Sequence, residues 1–172
     1  MLPPTVLKLT LAADRRVILP LDEGDNNLDV VQWYLDELVR PGDVLLIVYN
    51  VRPTPVPSAT RFPVLLGTML TIGQSTIRKG KSKCREAMQL AKNYGVNAHA
   101  FLYVHAKPHL TLTNAVRELN ADLVILGHRT FTTYGKAVSE DSCTARKTVS
   151  NVPVELAKPV IRTVPRSRNY SC

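Results

Sequence analysis

The sequence has few cysteines and no long apolar run, and each shortage excludes a class of protein. Its 172 residues contain three cysteines, Cys84, Cys143 and Cys172, with neither CxxC nor zinc-finger spacing. This odd, scattered set argues against a disulfide framework and is typical of a reducing compartment. No apolar run approaches the roughly 18 to 20 residues that span a bilayer, and the first residues lack the pattern of a secretory signal. These absences leave a cytosolic or nuclear protein, and we expect a cytoplasmic one without membrane contact.

Motifs that mark familiar enzymes and metal sites are also missing. The sequence contains no GxGxxG, no Walker phosphate loop and no GxSxG elbow. His105 and His109 have HxxxH spacing, but Pro108 stands between them and no carboxylate or thiol completes a ligand set. We predict neither a catalytic centre nor a metal site.

Positive charge, in contrast, is abundant. The 22 basic and 14 acidic residues give a net charge of +8, and the charge is concentrated in residues 78–85 and in the tail at 162–168. Such clusters attract phosphates, but these contain few aromatic residues for base stacking and match no nucleic-acid module. Specific nucleic-acid recognition is not expected, and a basic phosphate or nucleic-acid binder using residues 78–85 is kept as an alternative.

Apolar periodicity predicts that strands and helices alternate along the chain. The predicted strands are 15–22, 44–51, 96–104, 123–126 and 159–164. The predicted helices are 28–39, 76–94, one that starts at Pro108, and 148–156. Tyr94 is expected to face inward, Gly95 and Asn120 mark the ends of the second and third helices, and Pro153 fits poorly inside the fourth. Residues 52–63 contain four prolines and predict a surface excursion, with a helical turn near 64–70, while residues 130–147 show no period. This order implies an α/β fold with an open five-stranded parallel sheet and helices on both faces.

The tips of two predicted strands suggest a site. Leu123 to Leu126 form a buried run that ends at Gly127, and Asp22 closes the first strand. Because ligands of open α/β sheets sit beyond the carboxyl ends of the strands, we expect Asp22 and Gly127 to line one crevice. The alternative for Asp22 is a helix cap or an ordinary surface residue.

Four segments resemble a known family. They are Val-Ile-Leu-Pro-Leu-Asp (17–22), Trp-Tyr-Leu-Asp-Glu-Leu-Val-Arg-Pro-Gly-Asp (33–43), Ala-Asp-Leu-Val-Ile-Leu-Gly-His-Arg (121–129) and Lys-Pro-Val-Ile-Arg-Thr-Val-Pro (158–165). In this order, over residues 14–165, the chain resembles the universal stress protein family in a divergent, metazoan-type form. The resemblance implies an adenine-nucleotide α-hydrolase-like fold and a homodimer through the last strand. An irregular leader (1–14) and a basic tail (166–172) flank that domain.

Some members of this family bind ATP, and in those the loop after the fourth strand reads Gly, two residues, Gly, and later Gly-Ser or Gly-Thr. This sequence keeps Gly127 and Arg129, but Thr130 occupies the second glycine position and Lys147-Thr148 replaces Gly-Ser after a longer loop. Side chains therefore stand where backbone would approach phosphate. By resemblance, the residues that would hold a nucleotide are Pro20, Leu21, Asp22, Asn50, Leu126, Gly127, Arg129, Lys147, Thr148, Val149 and Ser150.

These observations together predict a regulatory or stress-protective binding protein. Its degenerate nucleotide loop predicts weak or absent ATP binding, with Mg²⁺ accompanying any ATP that binds. We expect no enzyme, or at most a weak ATPase. The alternative within the same fold is an ATP-binding switch with negligible hydrolysis.

Overall fold

The computed structural model describes residues 14–23, 27–55, 70–140 and 146–158. Its strands are β1 (Arg16–Leu21), β2 (Val44–Val51), β3 (Thr54–Pro55), β4 (Leu70–Thr71), β5 (Asn97–Val104), β6 (Leu123–Leu126), β7 (Ser139–Glu140), β8 (Lys147–Val149) and β9 (Val152–Leu156). Its helices are α1 (Asn27–Glu37), α2 (Gln74–Asn93), α3 (Pro108–Glu118) and α4 (His128–Tyr134), with a 3₁₀ turn at Gly135–Ala137. No helix within these ranges combines the length and the apolar character needed to cross a membrane.

Within the described residues, seven strands form one sheet in the order β5-β2-β1-β6-β9-β8-β7, and β3 pairs separately with β4. The strands from β5 to β9 in this order are parallel, whereas β8 and β7 are antiparallel additions. The predicted α/β class with a mainly parallel sheet is confirmed. The predicted number of strands is wrong, because the sheet has seven and not five.

Of the additional strands, β7 lies in the segment without a period, and β8 and β9 arise where a helix at 148–156 was predicted. In place of that helix, β8 and β9 form a hairpin whose turn residues, Ser150 and Asn151, have φ of 49° and 68°. Two successive positive φ angles match the tight turns that suit hairpins. Pro153 opposes a helix interior, and the valines of this segment favour a strand. The predicted strand at 159–164 lies outside the described residues.

Alternate residues of the central strands face two separate apolar layers. In β2, for example, Leu45 and Ile47 pack with α1 and α2, while Leu46 and Val48 pack with α3 and α4. This division follows from the two-residue period of a strand. It confirms that helices cover both faces of the sheet, and it explains why β1, β2 and β6 are apolar along almost their whole length.

Several boundaries agree with the predicted turns. Asn120 adopts a left-handed φ of 49° after α3, and Gly95 does so after α2 with φ of 71°. Tyr94, expected to face inward, is 45% exposed and donates a hydrogen bond from its hydroxyl to Asp36 of α1. The aperiodic segment after Gly127 contains α4, which sequence periodicity did not indicate. The predicted helical turn near 64–70 lies outside the described residues except for Leu70, which is in β4.

A buried carboxylate joins the start of the sheet to the first helix. Asp43 accepts hydrogen bonds from Arg15 Nε at 2.8 Å, from Tyr34 Oη at 2.7 Å and from the Arg40 backbone at 3.0 Å. Burial alone opposes ionisation, but these hydrogen bonds and the Arg15 charge outweigh it, so the pKa of Asp43 lies below its ordinary value. Asp43 therefore acts as an ionised anchor between β1, α1 and β2.

Candidate functional site

The carboxyl ends of β1 and β6 lie side by side because these strands pair in parallel. This arrangement brings Asp22 and Gly127 to one cleft of about 220 Å³, as the position of the strand tips predicts. Arg129 and Lys158 supply positive charge to the cleft, and Asp22 and Asp29 supply negative charge. The complete lining is Asp22, Asn27, Asp29, Val30, Gly127, His128, Arg129, Thr130, Ala157 and Lys158.

Asn27, the first residue of α1, fixes the backbone at Asp22. Its side-chain amide donates to the Asp22 carbonyl at 2.7 Å, and its side-chain oxygen accepts from the Asp22 N–H at 3.2 Å. Asn27 is itself buried. One carboxamide therefore satisfies both backbone groups at the tip of β1 and holds Asp22 at the cleft.

Gly127 is required by the packing of α1 against the end of β6. A Cβ at this position would overlap Cγ2 of Val30, and a valine side chain has little rotamer freedom in a helix. Because Gly127 has φ of −79°, its conformation is open to any residue. The glycine is therefore explained by close approach of a neighbouring helix and does not by itself indicate a phosphate site.

The backbone amide of Gly127 already has a partner within the protein. Its N–H donates to Thr130 Oγ1 at 2.7 Å, and the same hydroxyl donates to the Gly127 carbonyl at 3.1 Å. Both groups are buried, and Thr130 is 2% exposed. Thr130 thus caps the start of α4 with its own side chain, in the manner of a capping residue. The Gly127 N–H is therefore already hydrogen-bonded within the protein and is not available to a phosphate.

A second depression, of about 160 Å³, lies over the ends of β1 and β2. Tyr134, the last residue of α4, is 1% exposed there and donates a hydrogen bond from its hydroxyl to the Leu21 carbonyl at 2.8 Å. Burial raises the pKa of Tyr134 well above its ordinary value, with a further contribution from the charge of Asp22. The phenol is therefore neutral and acts as a donor. The depression is lined by Asp22, Glu23, Asn50, Arg52, Pro108, Thr133 and Tyr134.

Asn50, at the tip of β2, is also engaged by the protein. Its side-chain oxygen accepts from Thr111 Oγ1 at 2.7 Å, and its side-chain nitrogen donates to the His105 carbonyl at 3.1 Å. Asn50 is 6% exposed. These bonds join β2 to α3 and to His105 in the loop before it, so both polar atoms of the Asn50 side chain already have partners.

The predicted nucleotide residues fall into two groups in the structure. Pro20 and Leu21 end β1, Asn50 lies in β2, Leu126 ends β6, and Gly127 and Arg129 begin the next segment, so these residues are grouped with Asp22 at the carboxyl edge. The remaining four, Lys147, Thr148, Val149 and Ser150, lie in β8 and its turn.

The β8 residues do not line either depression. Since β8 runs antiparallel to β9, its turn at Ser150 lies near the amino end of β9, whereas Asp22 and Gly127 lie at the carboxyl ends of β1 and β6. Lys147 places its Nζ 5.2 Å from the centre of the Phe131 ring, which is a cation–π distance. Val149 is fully buried in the apolar layer under α3 and α4.

Most residues that line the two depressions were not predicted from the sequence, among them Asn27, Tyr134 and Lys158. Asn27 follows a turn rich in helix-capping residue types, which is a usable signal. For Tyr134 and Lys158 the sequence contains no such signal. Residues 130–147 are aperiodic, and Lys158 follows a segment that was predicted to be a helix. No group of three or more His, Cys, Asp and Glu side chains suited to a metal ion occurs in the part of the chain that the structure describes.

The fold and the crevice define an α/β protein of the open-sheet type, with its candidate site at a carboxyl edge. Comparison with family models assigns residues 14–155 to the universal stress protein family. The chain belongs to that family. A search of curated protein sequences returns no match.

Solved structures of universal stress proteins share the fold at low sequence identity. A member of the family from Burkholderia pseudomallei is 16% identical, with a TM-score of 0.58 over 83% of this chain and 95% of that one. A family protein from Arabidopsis thaliana with AMP bound is 14% identical, with a TM-score of 0.56 over 89% and 97%. The protein from Archaeoglobus fulgidus in complex with dAMP is 17% identical, with a TM-score of 0.55 over 84% and 97%. At these identities the likeness concerns the fold.

Proposed function

We propose that this universal stress protein is a regulatory, non-enzymatic binding protein. Its predicted nucleotide site, at the carboxyl edge of the sheet, is closed by the protein's own side chains. The observation that carries the proposal is the hydrogen bond from the Gly127 amide to Thr130 Oγ1. Thr130 stands where ATP-binding members are expected to have a second glycine. The side chain that replaces this glycine thus also takes the donor that a phosphate would use, so ATP binds weakly or not at all.

The groups that were predicted to contact the base of a nucleotide support the same proposal. The Leu21 carbonyl is bonded to Tyr134 Oη, and the Asn50 side chain is bonded to Thr111 and His105. A base that sought these groups would have to displace buried hydrogen bonds. Each buried group left unpaired costs about 1–3 kcal/mol, which weakens any nucleotide that lacks compensating contacts.

A second candidate, an ATP-binding switch with negligible hydrolysis, is favoured by the cleft itself. The cleft, of about 220 Å³, offers two acidic groups, Asp22 and Asp29, and two basic groups, Arg129 and Lys158. Relatives of the same fold have been solved with AMP, dAMP and cAMP. In this alternative, Arg129 and Lys158 replace backbone amides as phosphate partners, and Mg²⁺ accompanies ATP.

A thermal-shift titration with ATP, ADP, AMP and cAMP, each with Mg²⁺ and with ionic strength matched by salt, separates the two candidates. If the protein's own side chains close the predicted nucleotide site, millimolar nucleotide should cause no saturable shift of the melting temperature. Saturation at about a hundredfold above Kd would add roughly 2.7 kcal/mol to the folded state and would contradict the proposal. The control variant is Glu37→Ala, which removes an exposed acidic side chain from α1. If the shift disappears in Asp22→Ala and persists in Glu37→Ala, the ATP-binding switch becomes the leading function.

Assembly and location remain part of the proposal. The homodimer through the last strand rests on the family resemblance, and the strand predicted at 159–164 lies outside the described residues. Sedimentation velocity over a range of concentrations tests it, and a monomer at every concentration would contradict it. A cytoplasmic location and the metazoan-type assignment also stay predictions.

A further inference from the structure

Helix α2 has an unusual charge composition for a helix that covers a sheet. It contains one acidic residue, Glu86, and that side chain accepts a hydrogen bond from Ser82 at 3.0 Å. Its six basic residues are Arg78, Lys79, Lys81, Lys83, Arg85 and Lys92.

Four of these basic residues form one row along the helix. At about 100° per residue, Arg78, Lys81, Arg85 and Lys92 fall within about 60° of one another. The row spans 14 residue steps, which is about 21 Å at 1.5 Å per residue. The buried residues of the helix, Gly80, Cys84, Ala87 and Ala91, lie on the side that faces the sheet. We call these four basic residues the α2 basic row.

The α2 basic row is exposed and has no charged partner among the described residues. All four of its side chains are exposed. The ion pair between Arg15 and Asp43 lies elsewhere in the fold. β5, the edge strand under α2, contains no acidic residue. Uncompensated charge of one sign along about 21 Å is suited to a ligand with regularly repeated negative charge.

We propose that the α2 basic row binds the phosphate backbone of duplex nucleic acid without sequence specificity. Double-stranded DNA carries one negative charge per about 1.7 Å of its axis, so a stretch of duplex as long as the row carries about a dozen phosphate charges. α2 contains no aromatic residue, so it lacks the stacking surface with which proteins hold single strands. The α2 basic row is separate from the cleft at Asp22. Binding of duplex nucleic acid by this row therefore does not depend on whether the cleft binds a nucleotide.

An anionic membrane is the competing polyanion, and the packing of α2 disfavours it. Interfacial helices insert an apolar face between lipids. In α2 that face is already buried, with Cys84 2% exposed and Ala87 and Ala91 fully buried against the sheet. The exposed residues of the helix are all polar, and phosphate contacts are the interaction that they offer.

The test is fluorescence anisotropy of a labelled 20-base-pair duplex with the full chain at several salt concentrations. Each phosphate contact contributes about −0.9 to the slope of log K against log salt for B-DNA. The double variant Lys81→Gln/Arg85→Gln should therefore make the slope about 1.8 less steep. The basic tail at 162–168 is present in both proteins, so the difference between the slopes isolates α2.

The matched control is Lys107→Gln/Arg117→Gln, which removes the same charge from exposed positions before and within α3. The control should keep the wild-type slope, and both variants should keep the far-UV circular dichroism and melting temperature of the wild type. An equal loss of slope in both variants would overturn the proposal, because it would show a net-charge effect. Tighter binding to a single strand of equal length, or binding to anionic vesicles without binding to the duplex, would also overturn it.

Discussion

Thr130 and Gly127 are joined twice, with the Gly127 N–H donating to Thr130 Oγ1 at 2.7 Å and the same hydroxyl donating to the Gly127 carbonyl at 3.1 Å. The pair closes the start of α4 on the tip of β6. A threonine at this position thus changes the local chemistry of the edge: it supplies an internal acceptor for a backbone donor that would otherwise face the cleft. The stability of the edge and its proposed closure to nucleotides therefore depend on the same hydroxyl.

Thr130→Val should lower the free energy of unfolding by about 1–3 kcal/mol, because it leaves the buried Gly127 N–H without an acceptor. Urea unfolding followed by circular dichroism measures the change. Thr132→Val is the control on the same helix, since the Thr132 hydroxyl is exposed and bonds His128 O at 3.3 Å. It should shift stability by no more than about 0.5 kcal/mol. Equal effects of the two variants would show that the Thr130 contact contributes nothing special.

Gly127→Ala should also destabilise the protein, by about 1–3 kcal/mol, because the new methyl group overlaps Val30 Cγ2. Adding Val30→Ala should recover part of the loss, with a coupling of about 0.5–3 kcal/mol in a double-mutant cycle. Strict additivity of the two changes would refute the steric explanation. Gly135→Ala is the control: its nearest neighbour is a Phe131 ring carbon at 3.4 Å, and with φ of −57° it should be neutral or slightly stabilising.

Asp43→Asn should cost about 3 kcal/mol at neutral pH, since it removes the buried charge that Arg15 and Tyr34 contact. The folded-state pKa of Asp43 is lowered, so its stabilisation is present above the unfolded pKa of about 3.9 and is lost as the pH falls through the folded value. The difference between wild type and variant should therefore shrink below about pH 4. Glu37→Gln, at an exposed position of α1, should show neither effect. A difference that stayed constant with pH would contradict an ionised Asp43.

Cys84 should be nearly inert toward thiol reagents in the folded protein. Its side chain is 2% exposed, and burial raises its pKa to about 11. Relative to a thiol with the ordinary pKa of 9.0, the thiolate fraction at neutral pH falls about 100-fold. Kinetics with an aromatic disulfide reagent in a Cys143→Ser/Cys172→Ser background give the rate for Cys84 alone. A native rate within about tenfold of the rate in denaturant would indicate an accessible thiol.

The parts of the fold that local chemistry controls could be predicted from the sequence. β2 and β6 were predicted at their observed bounds, Val44–Val51 and Leu123–Leu126, because strands buried on both faces are continuous apolar runs. Asn120 and Gly95 were predicted at helix ends and adopt positive φ there. The meeting of Asp22 and Gly127 at one cleft followed from the parallel topology alone.

The prediction failed where two local tendencies competed. Residues 148–156 were predicted to form a helix, although Pro153 fits poorly inside a helix. The structure resolves the conflict in favour of the β8–β9 hairpin, in which Val149 and Val154 become buried against the sheet. Burial against a preformed strand depends on distant residues, so no local window could weigh it.

The sequence by itself determined the α/β class, the family and the two strand tips that form the crevice, because these depend on apolar period and on residues close in the chain. Only the tertiary structure decided how the crevice is filled. Tyr134 reaches the Leu21 carbonyl across 113 positions of the sequence, and Thr111 reaches Asn50 across 61. Contacts of this kind arise when helices dock on a sheet, and their geometry is set by the packing of the whole domain.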